Sequence, residues 1–229
     1  MNTKMNDLSI VATADGSKTI FNPDVGEHYH SKHGALQESK HVFLESGLNF
    51  FLQQHPVRQV SVLEVGFGTG LNFLLSADHC SRMYIRLQYT GIEAFPLYEN
   101  TIFQTGYEQY VQAELWNSFQ NCYRQSFAAP ADLNEFCNFR IDQCKLLEFH
   151  SDQSYDVLYF DAFAAVHQPE MWSAESLEKC TRYLKPGGVF VTYAITGNLK
   201  RTMKSLNFEI EKAPGAPGKR EMLRAVKKL

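Results

Sequence analysis

Between residues 60 and 194, short apolar runs alternate with stretches of helical character, and the runs end in a common way. Val60–Gly66 opens into the glycine loop Glu64-Val65-Gly66-Phe67-Gly68-Thr69-Gly70, and Arg86–Glu93 finishes on an acid. Phe136–Ile141 is followed by Asp142, Tyr155–Phe160 by Asp161, and a fifth run covers Val189–Ala194. Strands that alternate with helices form a mostly parallel sheet covered on both faces, and such sheets bind ligands at the C-terminal ends of their strands. The glycine loop and all three acids fall on that edge. Two further strands, Phe208–Lys212 and Arg220–Ala225, are joined by the turn-rich APGAPG alone, so the last strand returns antiparallel.

The helices between these strands are read at Leu71 to about His79, at Ser173–Leu184 (ended by Lys185-Pro186-Gly187-Gly188) and at Asn198–Leu206. Residues 94–135 read as a mostly helical insert anchored by Phe103, Tyr107, Tyr110, Trp116 and Phe119. Upstream, residues 7–22 form a hairpin around Asp15-Gly16, and 23–36 form a polar loop. Gln37–Gln54 form a helix that buries Val42, Phe43, Leu48, Phe51 and Leu52. The chain of 229 residues, 44% hydrophobic and 21% charged, excludes disorder and suits one domain over 1–229. Within it, 1–56 is an N-terminal hairpin and helix and 57–229 the core. No apolar run is long enough to span a membrane, and MNTKMNDLSI has no secretory core. The five cysteines are odd in number and contain no CxxC pair, so they read as reduced thiols of a cytoplasmic protein.

The net charge of −3 hides an asymmetry. From Gly197 onward there are nine Lys/Arg against three Asp/Glu, a local +6 that leaves −9 on the remainder. Screening confines charges to roughly 8–10 Å, so the basic end can still meet a polyanion. Lys200, Arg201, Lys204, Lys219, Arg220, Arg224, Lys227 and Lys228 are the candidates for phosphate contact.

The GxGxG spacing differs from both the dinucleotide-binding GxGxxG and the P-loop, and the loop carries no lysine. A tight strand–helix turn would use the same glycines. Glu93, 23 residues beyond Gly70, can accept two hydrogen bonds from a ribose diol and would repel a 2′-phosphate. Asp161 follows the apolar Val157-Leu158-Tyr159-Phe160, which places its carboxylate at the edge of a partly dry site suited to proton transfer. The His28-Tyr29-His30-Ser31-Lys32-His33 run lacks cysteine or carboxylate at metal-ligand spacing and reads as loop, with no metal expected.

EVGFGTG, the acid at Glu93 and the LKPGG turn together resemble class I S-adenosylmethionine-dependent methyltransferases. TADGSKTIFNPDVGEHYHSKHGALQESKHVFLESGL, EVGFGTGLNFL, YTGIEAFPL, YFDAFA, QPEMW and GKREML resemble one family within them, from about Thr13 to Arg224. This is the methyltransferase module of the bacterial enzymes that make 5-methylaminomethyl-2-thiouridine at the tRNA wobble position (MnmC, or MnmD when standing alone). The resemblance implies a Rossmann-like α/β fold with a seven-stranded, mostly parallel sheet. It implies S-adenosylmethionine held by Tyr29, Glu64, Gly66, Phe67, Gly68, Gly70, Asn72 and Glu93, with Asp142 near the adenine. It gives Asp161 the catalytic position, Glu38, Phe163, Lys219 and Arg220 the acceptor, and the tRNA anticodon region as partner. Ala165 stands where the family often has proline, which predicts a less rigid loop. The flavin oxidase half of the fused relatives is not expected here. A small-molecule amine methyltransferase, an aminopropyltransferase and a non-catalytic cofactor- or RNA-binding module remain as alternatives.

Overall fold

The computed structural model describes residues 8–229. Met1–Asp7, including the start of the expected hairpin and most of the segment read for a secretory core, lie outside the described residues.

An eight-stranded sheet runs in the order β10-β11-β9-β8-β4-β5-β7-β6. Its parallel centre consists of β4 (Gln59–Val65), β5 (Arg86–Ile92), β7 (Cys137–Asp142), β8 (Tyr155–Phe160) and β9 (Leu184–Thr192). β11 (Glu221–Lys227) lies antiparallel between β9 and β10 (Phe208–Pro214), the expected reversed return. The expected count of seven is one short: β6 (Ala131–Asn134), inside the segment read as helical insert, pairs antiparallel with β7 and forms the far edge. β9 also begins earlier than expected. Tyr155 faces Leu184 and Val157 faces Val189, so the Lys-Pro-Gly-Gly turn bulges from a strand already under way.

Alternation along the strands divides the interior into two layers. Val60, Val62, Val157, Tyr159, Val189 and Val191 face one layer, and Leu63, Val65, Leu158, Phe160 and Phe190 the other. The helix Leu71–Arg82 and the insert cover the first, with Phe73 stacked on Phe139 and Phe119 beside both. The helices Ala174–Thr181 and Gly197–Ser205 cover the second. Of the insert aromatics, Tyr107, Trp116 and Phe119 are buried, and Phe103 and Tyr110 are half-buried.

The N-terminal segment is tied into this core. β1 (Ser9–Ala12) and β2 (Lys18–Asn22) form the expected hairpin, and β3 (Glu27–His28), in the stretch read as loop, adds a third strand. A continuous helix then runs over 35–54. Its middle, Ser39–Asn49, is wound as a π-helix, a form that recurs at functional sites. Val42, Phe43, Leu48 and Phe51 are buried as expected, Leu52 only partly, and Phe43 packs on Tyr159 of β8. All five cysteines are free.

Candidate functional site

A cavity of about 720 Å³ opens at the C-terminal edge of the parallel strands. Its floor is the glycine loop. Gly66 and Gly68 hold φ of 86° and 53°, a region that disfavours side chains. A Cβ on Gly66 would lie 2.6 Å from the Asp161 carbonyl oxygen, and one on Gly68 would lie 3.0 Å from Tyr29 Cδ1. The loop is thus clamped between the end of β8 and the Tyr29 ring, which also meets Phe163 edge-on at 5.1 Å.

Glu93 fixes the second side. Its Oε2 accepts the Gly68 N–H at 3.0 Å and its Oε1 the Phe95 N–H at 2.9 Å. Burial raises its pKa despite these bonds. Each oxygen keeps a lone pair for a ribose diol. Ile92, Leu97, Leu146 and the exposed Phe95 and Leu147 supply an apolar wall beside it. Asp142 does not take part in that wall. Its carboxylate is paired with Arg140, and the turn at Cys144–Leu147 lines the cavity instead.

Asp161 stands opposite, and burial, with the negative field of Glu38 next, pushes its carboxyl up to about 8. Its Oδ2 accepts from Asn72 Nδ2 at 2.8 Å, and the same amide nitrogen donates to Glu64 Oε1 at 2.9 Å. Tyr89 OH closes the chain onto Glu64 Oε2 at 2.8 Å. Glu64 is fully buried, with its pKa driven well up by burial. Glu64 and Asn72 therefore stand behind the cavity as supports of Asp161, and neither they nor Gly70 line it.

The loop after Asp161 is held from three sides. Ala164 N–H donates to Glu27 Oε2 at 2.8 Å, Trp172 Nε1 to the Phe163 carbonyl at 2.8 Å, and Tyr193 OH to the Ala162 carbonyl at 2.9 Å. These bonds supply what the missing proline at Ala165 led us to expect would be absent. Glu27 and Trp172 lie inside the segments that carry the family resemblance, which gave them no role, and Tyr193 lies in none. The one local hint is that Tyr193 closes the fifth apolar run on the ligand edge.

Glu38 and Lys219 form an ion pair at 2.9 Å in the same cavity, whereas Arg220 is exposed and outside it. His30 is buried and bonded to Thr69 at 2.7 Å. Burial lowers its pKa to about 4, so it braces the glycine loop as a neutral ring. No group of three His, Cys, Asp or Glu able to hold a metal occurs among the described residues. Besides Asp161, the lining carries Asp24, Glu27, Glu38, Glu93, Glu148 and Glu170 against Lys32, Lys145 and Lys219, an excess of acids that favours a cationic ligand.

A family described as S-adenosyl-L-methionine-dependent methyltransferase matches residues 101–228, more than half of the chain. The chain belongs to that methyltransferase family. It is 28% identical over 221 residues to the tRNA 5-methylaminomethyl-2-thiouridine biosynthesis bifunctional protein MnmC of Acidovorax sp. (strain JS42), covering 90% of this chain and 34% of that protein. With the protein of the same description from Pseudoalteromonas atlantica, identity is 30% over 233 residues, covering 93% and 32%. The chain thus spans about a third of the length of these relatives. In fold it matches the crystal structure of MNMC2 from Aquifex aeolicus, with a TM-score of 0.76 at 22% identity over 98% of this chain and 72% of that one.

The cofactor of this family is S-adenosylmethionine, and the cavity fits it. The glycine loop leaves backbone within reach of a ligand, Glu93 presents a carboxylate with spare lone pairs, an apolar wall follows, and the acid excess suits a sulfonium.

Proposed function

We propose that this methyltransferase acts on the primary amine of 5-aminomethyl-2-thiouridine at the tRNA wobble position, giving 5-methylaminomethyl-2-thiouridine. One observation carries the reading: Asp161, with its proton affinity raised, shares an acid-rich cavity with the glycine loop and Glu93. The relatives named for biosynthesis of this nucleoside support the choice of acceptor.

Glu93 would hold the ribose, Gly66, Phe67 and Gly68 the backbone side, and Tyr29 would cover the bound cofactor. Once seated, S-adenosylmethionine supplies a methyl group on a sulfonium, so that the N–C bond forms as the S–C bond breaks and a neutral thioether leaves. An alkylammonium has no lone pair to attack with. Asp161 accepts its proton, leaving the amine neutral and hydrogen-bonded to the carboxyl. Asn72 and Glu64 hold Asp161 in place. Phe163 and Tyr29 exclude water from the reacting side.

Basic residues outside the cavity would hold the anticodon region, and a tRNA acceptor places the reaction in the cytoplasm. No helix among the described residues is long and apolar enough to cross a membrane.

The deciding assay uses purified protein, methyl-labelled S-adenosylmethionine and tRNA that carries 5-aminomethyl-2-thiouridine, followed by nucleoside mass analysis. One methyl gained on that nucleoside is expected. Label that stays out of tRNA under conditions where a small amine becomes methylated would overturn the assignment in favour of a small-molecule enzyme.

A further inference from the structure

The ammonium of Lys219 sits in a corner built for it. Its Nζ is 2.9 Å from Glu38 Oε2 and 3.7 Å from the centroid of the Tyr193 ring. Glu38, Tyr193 and Asp161 all line the cavity. Other bonds preset these partners. Ser31 N–H donates to Glu38 Oε1 at 3.0 Å, Tyr193 OH is tied to Ala162, and Asn72 holds Asp161. The Glu38 side chain is 7% exposed, while that of Lys219 is 34% exposed. Glu38 is therefore buried, the corner's three side chains are held by other bonds, and its occupant reaches in from the turn between β10 and β11 on a flexible stem.

A carboxylate set beside an aromatic face is the chemistry that recognises alkylammonium ions. The end of a lysine side chain is –CH₂–NH₃⁺. A primary aminomethyl acceptor presents the same group, with the same charge and the same three donors.

We propose that the Glu38–Tyr193–Asp161 corner is the seat of the acceptor's ammonium, and that Lys219 is a resident stand-in which the acceptor displaces. This rests on the amine-acceptor reading given above. It explains how the buried Glu38 can keep its charge beside Asp161 before substrate arrives: the Lys219 ammonium offsets it. It also puts the incoming nitrogen beside the carboxylate that takes its proton. Lys219 then swings outward, on a turn that already carries the exposed Arg220.

The test reads binding without tRNA and without methyl transfer. The full chain, saturated with S-adenosylhomocysteine, is titrated calorimetrically with 5-(aminomethyl)uracil and with the neutral 5-(hydroxymethyl)uracil. Lys219→Met should bind the aminomethyl compound at least about tenfold more tightly than the parent, a gain of about 1.4 kcal/mol. The hydroxymethyl compound should bind the two proteins alike. Adding Glu38→Gln to Lys219→Met should remove the gain. Lys219→Gln provides the same comparison if the Met variant does not fold. Equal affinities in parent and variant, or a gain that survives Glu38→Gln, overturn the proposal. A separate titration of both ligand-free proteins with S-adenosylhomocysteine completes the test: a gain there with none for the aminomethyl compound gives the corner to the cofactor's own ammonium and overturns the proposal. A protein that passes this test but leaves tRNA unmethylated keeps the cation seat and loses the tRNA assignment.

Discussion

Asn72 Nδ2 lies 2.8 Å from Asp161 Oδ2, and the same amide nitrogen lies 2.9 Å from Glu64 Oε1. One side chain at the start of a helix thus holds two carboxylates that have left water. The Asn72 Oδ1 is buried and has no partner, so the amide is committed to donating in this direction. An unpaired buried carbonyl is costly, and it is tolerated here beside the site where position matters most.

Replacing Asn72 by Ala should therefore free the Asp161 carboxylate to rotate. Misplacement of this kind costs up to about 100-fold in rate, so kcat should fall by about 10–100-fold. Affinity for S-adenosylmethionine should stay within a few-fold, because Asn72 does not line the cavity. The hydrogen bond from Asn72 lowers the Asp161 pKa. Its loss should move the acidic limb of the rate profile upward. Cofactor titration and a kcat–pH series check both halves of the expectation.

A pH profile of the parent enzyme tests Asp161 directly. Its carboxyl is raised from 3.8 to about 8, and only the ionised form can take a proton from the acceptor. kcat/KM should rise with pH up to about 8. It should fall again where an alkylammonium deprotonates, near roughly 10. Asp161→Asn should lose most turnover and keep cofactor affinity. The stability effect has the opposite sign. Between about 4 and about 8 the folded protein holds a proton that the unfolded chain has released, so stability attributable to this group falls as pH rises through that window. Urea unfolding of parent and Asp161→Asn across pH 4–9 should show a shallower decline in the variant.

The C-terminal edge of the sheet could be read because four of its five parallel strands are apolar runs that meet a glycine or an acid there: Gly66, Glu93, Asp142 and Asp161. Spacing places such residues on one edge but says little about which face each side chain takes. Glu64, in the same motif, shares a face with Val62 and is drawn into the layer under Leu71–Arg82, so it meets Asn72 and Tyr89 instead of the cavity. Asp142 is claimed by Arg140 two residues earlier, a pairing that alternation along a strand permits. β6 escaped notice because four residues, Ala-Asp-Leu-Asn, carry little β pattern, and pairing with β7 makes the strand. Tyr193, Trp172 and Glu27 act through distant backbone groups. Their partners are close only once the chain has folded.

The loop after Asp161 should depend on Trp172. Trp172→Phe keeps an aromatic against Phe160, 5.0 Å away, and removes only the bond to the Phe163 carbonyl. A lost bond of this type costs about 0.5–1.5 kcal/mol. In a chain of this size, Tm should fall by roughly 1–6 °C. kcat should drop several-fold as the loop loosens, with cofactor affinity unchanged. Differential scanning calorimetry and steady-state kinetics separate the two effects. A variant with lowered Tm and parental kcat would remove Trp172 from loop control.

The basic end of the chain narrows to a few residues once the pairs are counted out. Arg224 is bound to Glu211 and lies over the Phe50 ring at 3.7 Å. Lys227 donates to the Thr181 and Leu184 carbonyls, and burial lowers its pKa. Lys219 is held by Glu38. Of the candidates, Lys200, Arg201, Lys204, Arg220 and Lys228 form no ion pair among the described residues, and Lys200, Arg201 and Lys204 stand together. They share the helix Gly197–Ser205, which begins beyond the C-terminal end of β9, at the cavity edge of the sheet. Each phosphate neutralised contributes a slope of about −0.7 to −0.9 to log K against log salt. If these three each meet a phosphate, replacing all of them by Ala should flatten that slope for tRNA by about 2–3 and weaken binding at low salt. Cofactor affinity should not change, since none of the three lines the cavity. Filter binding of tRNA over a salt series, parent against triple variant, measures the difference. An unchanged slope would move the tRNA contact to another face.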